Sequence, residues 1–349
     1  MTQKHGPPYG QILLGFIIGA AALAWTLYDI PLSELWQELT QAHLLWLLLV
    51  GGMFMLQQVI RAARQMLIIQ AQYPDHTFRQ SFAILCIGFF FINTLPARIG
   101  ELVRPFLLKR DGIPYGNGLA LIFTERTIDL CAALVMFTAT LGQLNLDALK
   151  HPVVQSSQQL VFLMLPALIL LLLSFIFIAP RYRSTIVRLS QSKLLKPIGP
   201  FTLEFIDAMG RLSPKRLALV LILTTITWSL TGWMTIAGLA AFDLHHGRAF
   251  LDGIGILAFT MLGMAAPSAP GFAGAYEAAV ILGCLSLGMT QTVRITAFAI
   301  GFHWWIQLVQ SLSALVYAGH PHYGFGIVIN QIRMRAFGSR RRTPEAPDA

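Results

Sequence analysis

Apolar residues run through this chain in long blocks, and the polar residues that interrupt them recur at particular spacings. Blocks at about 10–28, 42–60, 116–142, 160–180, 217–242 and 292–318 each approach the ~20 residues that a helix needs to cross a bilayer. Two further apolar pairs, 79–110 and 250–289, are broken near their middles by prolines and glycines. The first break lies in FINTLPARIGELVRPFLLKR from Phe91, the second in APSAPGFAGAYEAA from Ala266. In both, a proline is followed four residues on by a glycine (Pro96 and Gly100; Pro270 and Gly274), and a glutamate comes soon after (Glu101; Glu277). The pattern predicts an all-α polytopic membrane protein with about six full spans and two re-entrant helical hairpins. The breaks fall at Asn93, Pro96 and Gly100 in the first hairpin and at Pro267, Pro270, Gly271 and Gly274 in the second. The alternative is that each hairpin is a pair of tightly joined spans, giving eight to ten crossings.

Composition agrees: 55% of residues are hydrophobic and only 12% charged, which excludes an ordinary soluble domain. The net charge of +9 would suit a nucleic-acid partner, but the positions of the basic residues assign them to a membrane face instead. The loop at 29–41 carries Asp29, Glu34 and Glu38 and no Lys or Arg, whereas Arg61, Arg64 and Arg79 follow the second span. The linker at 181–216 holds eight basic residues, and the tail at 319–349 is basic too. These place both termini in the cytoplasm of a bacterial-type inner membrane. With hairpins entering from opposite faces, nineteen of the 25 basic residues lie inside and three outside, leaving Arg98, Arg104 and Arg126 at membrane depth. Residues 10–142 and 160–318 then form two pseudo-repeats within a single transmembrane domain. An odd number of crossings in each inverts one against the other, the broken-helix design of many transporters. The apolar run Ile12–Leu27 reads as an uncleaved anchor. Phe201–Leu212 reads as a helix lying on the cytoplasmic membrane surface.

Charge at membrane depth costs about 2.5–3.5 kcal/mol on insertion scales, so it marks protein-facing or cavity-facing positions. Seven residues qualify: Arg98, Glu101, Arg104, Glu125, Arg126, Asp129 and Glu277. FTERTIDL puts Glu125 and Asp129 on one helical face, and Arg98 and Arg104 are their nearest opposite charges in sequence. A helix starting near Pro96 would carry Arg98, Glu101 and Arg104 together at an N-terminus, where Glu101 or a phosphate balances the arginines. A self-neutralising ionic lock without ligand fits the same residues. His303, Gln307 and Gln310 form a polar stripe on the last span, read either as helix-to-helix hydrogen bonding or as a cavity wall with His303 titrating. Cys86, Cys131 and Cys284 lie in apolar segments at no metal-ligand spacing, and His245 and His246 are adjacent, a poor metal pair. No enzyme motif occurs, so neither catalytic residues nor a metal or cofactor is expected.

NTLPARIGELVRPFLLKR, ERTIDL and PSAPGFAGAYEAA, in that order, resemble the hallmark segments of the lysylphosphatidylglycerol synthase transmembrane region family, also described as flippase-like. The likeness extends over nearly the whole chain. A departure stands at Phe272-Ala273, where the family more often has a further glycine after the Pro-Gly pair. The resemblance implies an inner-membrane protein that moves lipids between leaflets, without the cytosolic aminoacyl-transfer domain that the multiple peptide resistance factor carries. The expected partners are membrane lipids, anionic or phosphate-bearing, with lipid-synthesis enzymes as further candidates. Two other readings stay open: an intramembrane transferase on a lipid-linked donor with Glu101 or Glu277 as base, and a non-transporting partner of a lipid-synthesis complex.

Overall fold

The computed structural model of the protein describes residues 9–95, 100–141, 167, 170, 174, 179–190, 199–244, 249–265 and 269–337. Every regular element among them is helical. A first group comprises α1 (Tyr9–Leu27), α2 (Leu32–Gln41), α3 (Leu44–Ile69), α4 (Phe78–Thr94), α5 (Val103–Arg110) and α6 (Tyr115–Leu141). A second comprises α7 (Arg183–Ser190), α8 (Gly199–Gly210), α9 (Pro214–Ala241), α10 (Ala249–Ala265), α11 (Ala275–Ser286) and α12 (Thr292–Leu315), with α13 (Phe325–Phe337) closing the chain.

Length separates these helices into kinds. The 26 residues of α3 and the 28 of α9 are long and apolar enough to cross a membrane, and α1 and α2 form a pair bent by 89°. With 8 residues in α5 and 12 in α11, neither can span a hydrocarbon core of ~30 Å at 1.5 Å per residue. Each short helix packs against the longer helix before its break, α5 on α4 and α11 on α10. Local chemistry sets the starts. Thr77 and Gln80 form a reciprocal capping box on α4, and Ser213 caps α9 with Pro214 in its first turn. Leu45, Leu56, Ile222, Leu308 and Leu312 point outward and exposed from α3, α9 and α12, as a bilayer-embedded helical protein requires.

Contacts repeat between the two groups when α2, α3, α4, α5 and α6 are matched with α8, α9, α10, α11 and α12. α3 packs on α4 as α9 packs on α10, α5 on α6 as α11 on α12, and α2 on α12 as α8 on α6. The crossed pairs match as well, α4 on α12 with α10 on α6, while α3 and α9 pack against each other.

Two expectations are corrected. The second span does not end before Arg61 and Arg64: QVIRAARQMLII has no glycine or proline, so α3 runs on to Ile69 and carries both arginines within the helix. Phe201–Leu212 does not lay its apolar face on the membrane surface, because that face is covered by α6. Phe205 and Leu212 are buried with Ala120, and Phe123 meets Phe201 and Phe205 edge to face at 5.7 and 5.2 Å. Most of the expected span at 160–180, His245 and His246, and residues 338–349 of the tail lie outside the described residues.

Candidate functional site

Three helices converge on a buried ionic cluster. From α3, Arg64 is only 1% exposed and donates to both carboxylate oxygens of Asp129, at 2.5 and 3.0 Å. It also donates to Glu125 Oε1 at 3.2 Å and to Thr224 Oγ1 on α9 at 3.1 Å. From α5, Arg104 is fully buried and donates to Glu125 Oε2 at 2.6 Å. Glu125 therefore bridges two guanidinium groups, while the indole N–H of Trp228 supports Asp129 at 3.3 Å. The i, i+4 spacing on α6 is what brings both carboxylates to this face.

Positive charge exceeds negative there. Arg61, one turn before Arg64, and Arg126, beside Glu125, join no ion pair among the described residues. The guanidinium carbons of Arg61, Arg104 and Arg126 all lie 5.6–5.7 Å from the ring centre of Phe89 on α4. Glu101 is near enough to act on Arg104 electrostatically, so four arginines face three carboxylates. Donor capacity is also left over: Arg64 Nε, Arg104 Nε and Nη1, and Arg126 Nε have no partner among the described residues. Gln58 and Gln65, buried on the same helix as Arg61, leave both amide atoms unpaired. A narrow crevice beside them is lined by Gln65, Leu108, Ile122 and Glu125. Buried guanidinium N–H groups without acceptors are costly, and an anion held in the cluster would satisfy them.

A second polar cluster joins the two helix breaks. Glu277 in the first turn of α11 accepts the backbone N–H of Gly274 at 2.7 Å through Oε2 and bonds Nδ1 of His303 at 2.8 Å through Oε1. Tyr276 stacks on the His303 ring at 4.0 Å. One turn on, Gln307 Nε2 contacts His303 Nε2 and the carbonyl of Gly271, both at 3.3 Å, and Gln307 Oε1 accepts from Asn93 Nδ2 at 2.5 Å. Asn93 ends the first arm of one broken pair and Gly271 begins the turn of the other. Gly271 and Gly274 have φ of 68° and 84°, and a Cβ on Gly274 would collide with the carbonyl of Gly19 on α1.

Of the residues expected to form a site, Arg104, Glu125, Arg126 and Asp129 come together, and Glu277 meets His303. Arg98, Pro96 and Pro267 lie outside the described residues. The helix expected from Pro96 begins instead at Val103, after a tighter turn over Gly100–Leu102, so Glu101 and Arg104 do not share one regular helix. The partner of Asp129 is Arg64, an assignment that loop-counting of basic residues hid. Its signal was present in sequence: Gln57, Gln58, Arg61, Arg64 and Gln65 crowd one end of an otherwise apolar helix.

Residues 12–314 match the family model described as lysylphosphatidylglycerol synthase TM region. No curated protein matches the chain.

Proposed function

As the chain belongs to the lysylphosphatidylglycerol synthase TM region family, we propose that it is a lipid flippase or transporter that moves an anionic, phosphate-bearing lipid between leaflets of a bacterial-type inner membrane. The observation that carries this reading is the excess of guanidinium groups around Phe89, Arg104 fully buried and Arg61 and Arg126 half-buried, with N–H donors left over among the described residues. A lipid phosphate supplies the missing acceptor and the missing charge. Arg64, Glu125 and Asp129 act as the fixed frame; Arg61, Arg104 and Arg126 present the anion-binding edge.

Alternating access is proposed to come from the two broken pairs working as re-entrant hairpins of an inverted repeat, with both termini cytoplasmic. The matched packing of the two helix groups supports that arrangement, as do the short second arms α5 and α11. The protein is proposed to be a carrier and not an enzyme. Glu277 has one oxygen engaged by His303 and the other by the Gly274 N–H, a poor state for a general base.

The test is a leaflet-sidedness assay in liposomes with fluorescent phosphatidylglycerol and a membrane-impermeant quencher. Wild type should equilibrate the probe between leaflets. Arg61→Ala combined with Arg126→Ala should slow this at least about tenfold, as expected for losing charge-assisted contacts to one phosphate. Unimpaired transport by the folded double variant would reject the site.

A further inference from the structure

We propose that His303 is a proton-binding site whose occupancy uncouples the two helix breaks from each other. The hydrogen-bond chain at this point has only one consistent direction. Gly271 offers a carbonyl, which accepts only, so the Gln307 atom facing it must be the NH2 group. That same NH2 lies 3.3 Å from His303 Nε2, which must therefore be an acceptor without a proton. The single proton of the neutral imidazole is then on Nδ1, where it is donated to Glu277 Oε1 at 2.8 Å. Gln307 Oε1, pointing the other way, accepts from Asn93 Nδ2.

A proton added at His303 Nε2 sets N–H against NH2. Gln307 must turn its amide to present oxygen to the imidazolium, and that oxygen then opposes the Gly271 carbonyl. Asn93 can follow by turning its own amide, so that its Oδ1 accepts from the turned NH2. One proton thus removes the hydrogen bond that ties the turn after α10 to α12, and with it the link from that turn to the end of α4, while the Glu277–His303 contact becomes a full ion pair. The imidazole sits where its charge has a counterion: it is 4% exposed against 1% for Glu277.

Other groups leave the choice to this pair. From α11, His303 meets Tyr276 and Glu277; from α4 it meets the neutral Asn93 side through Gln307. α1 and α9 carry no ionisable side chain along their apolar lengths facing it, and Arg61 and Arg64 of α3 belong to the other cluster. α2 contributes Glu38, already bonded to Arg294 roughly 13 Å of helix away from His303. Gln307 and Asn93, the polar groups beyond Nε2, are only part-buried.

For its purpose the proposal rests on the transporter reading: a proton that frees the two hairpin tips would couple their motion to a proton gradient. Its test does not use lipid movement, so either idea can fail alone. Hydrogen–deuterium exchange is followed by mass spectrometry on the full chain in lipid nanodiscs, at about pH 7.5 and about pH 5.5. Labelling times are scaled for the intrinsic pH dependence of exchange. The peptide covering 269–276 should exchange up to about tenfold faster at the lower pH in the wild type, the size of effect expected for losing one hydrogen bond. His303→Gln, which keeps an acceptor and cannot take a proton, should exchange slowly at both pH values, and Gln307→Met quickly at both. Wild-type exchange that ignores pH overturns the proposal without recourse to any variant. So does an acid response in His303→Gln equal to that of the wild type.

Discussion

Arginines of one cluster should fail in different ways when removed. Arg104→Ala leaves Glu125 without one of its two guanidinium partners in a buried setting, and breaking such a pair costs about 3–5 kcal/mol. Arg61→Ala breaks no ion pair, so its thermal unfolding should stay within about 1 kcal/mol of wild type while transport falls. A thermal-shift measurement in detergent beside the liposome assay separates the two; equal destabilisation would reduce the cluster to a structural lock. Outside the membrane, burial lowers the pKa of His76, opposed by the charge of Asp111, and its Nε2 lies 3.0 Å from the Ser81 hydroxyl. A histidine held neutral by the fold contributes stability that is fully present above its unfolded pKa of about 6.5 and is lost as pH falls from there through its lower folded pKa. His76→Gln should therefore flatten the pH dependence of the melting temperature below about pH 6.5, and an unchanged slope would assign the acid sensitivity elsewhere. At this scale the sequence was legible where spacing alone decides: Glu125 and Asp129 share a face because i, i+4 residues always do. Arg64 was not, since whether it lies in a loop or in a helix depends on where α3 stops.

The broken pairs owe their shape to close approach as much as to proline. A Cβ on Gly88 in α4 would meet Cγ and Cδ of Arg104, so α5 can lie against α4 only because that position is bare. Gly88→Ala should gain up to about 1 kcal/mol of helix propensity and lose more by displacing the Arg104 side chain from Glu125. The expected outcome is a lower melting temperature together with impaired transport; a stabilised, active variant would mean that Arg104 is free to move. The turn at 269–274 shows a complementary case. Phe272 adopts a φ of 62° where glycine would be unstrained, a cost of roughly 1–2 kcal/mol. The break positions were legible from Pro-Gly spacing, because those residues punctuate any helix. The start of α5 at Val103 was not, since no side chain caps it and the preceding turn follows tighter geometry. The cover of α8 was hidden for another reason: an amphipathic face looks the same in sequence whether lipid or α6 buries it.

Across the whole molecule, the repeated packing brings two hydrogen-bonded pairs into correspondence. In each group the short arm after the break pairs with the following long helix: Arg104 of α5 with Glu125 of α6, and Glu277 of α11 with His303 of α12. The order is reversed between them, the short arm supplying the arginine in one pair and the carboxylate in the other. The all-helical character was legible because long apolar blocks leave few alternatives, whereas packing between the halves arises from contacts that no local pattern encodes. If the halves are inverted, the loops after the two short arms must open on opposite sides of the membrane. Lys109 and Thr290 mark those loops and are both exposed. In a background with Cys131→Ser, right-side-out vesicles treated with a membrane-impermeant maleimide should label Thr290→Cys and spare Lys109→Cys until the membrane is opened. Labelling of both from one side would remove the inversion and leave the matched contacts as a parallel duplication, whose halves would rock about an axis along the membrane normal and not about one in its plane.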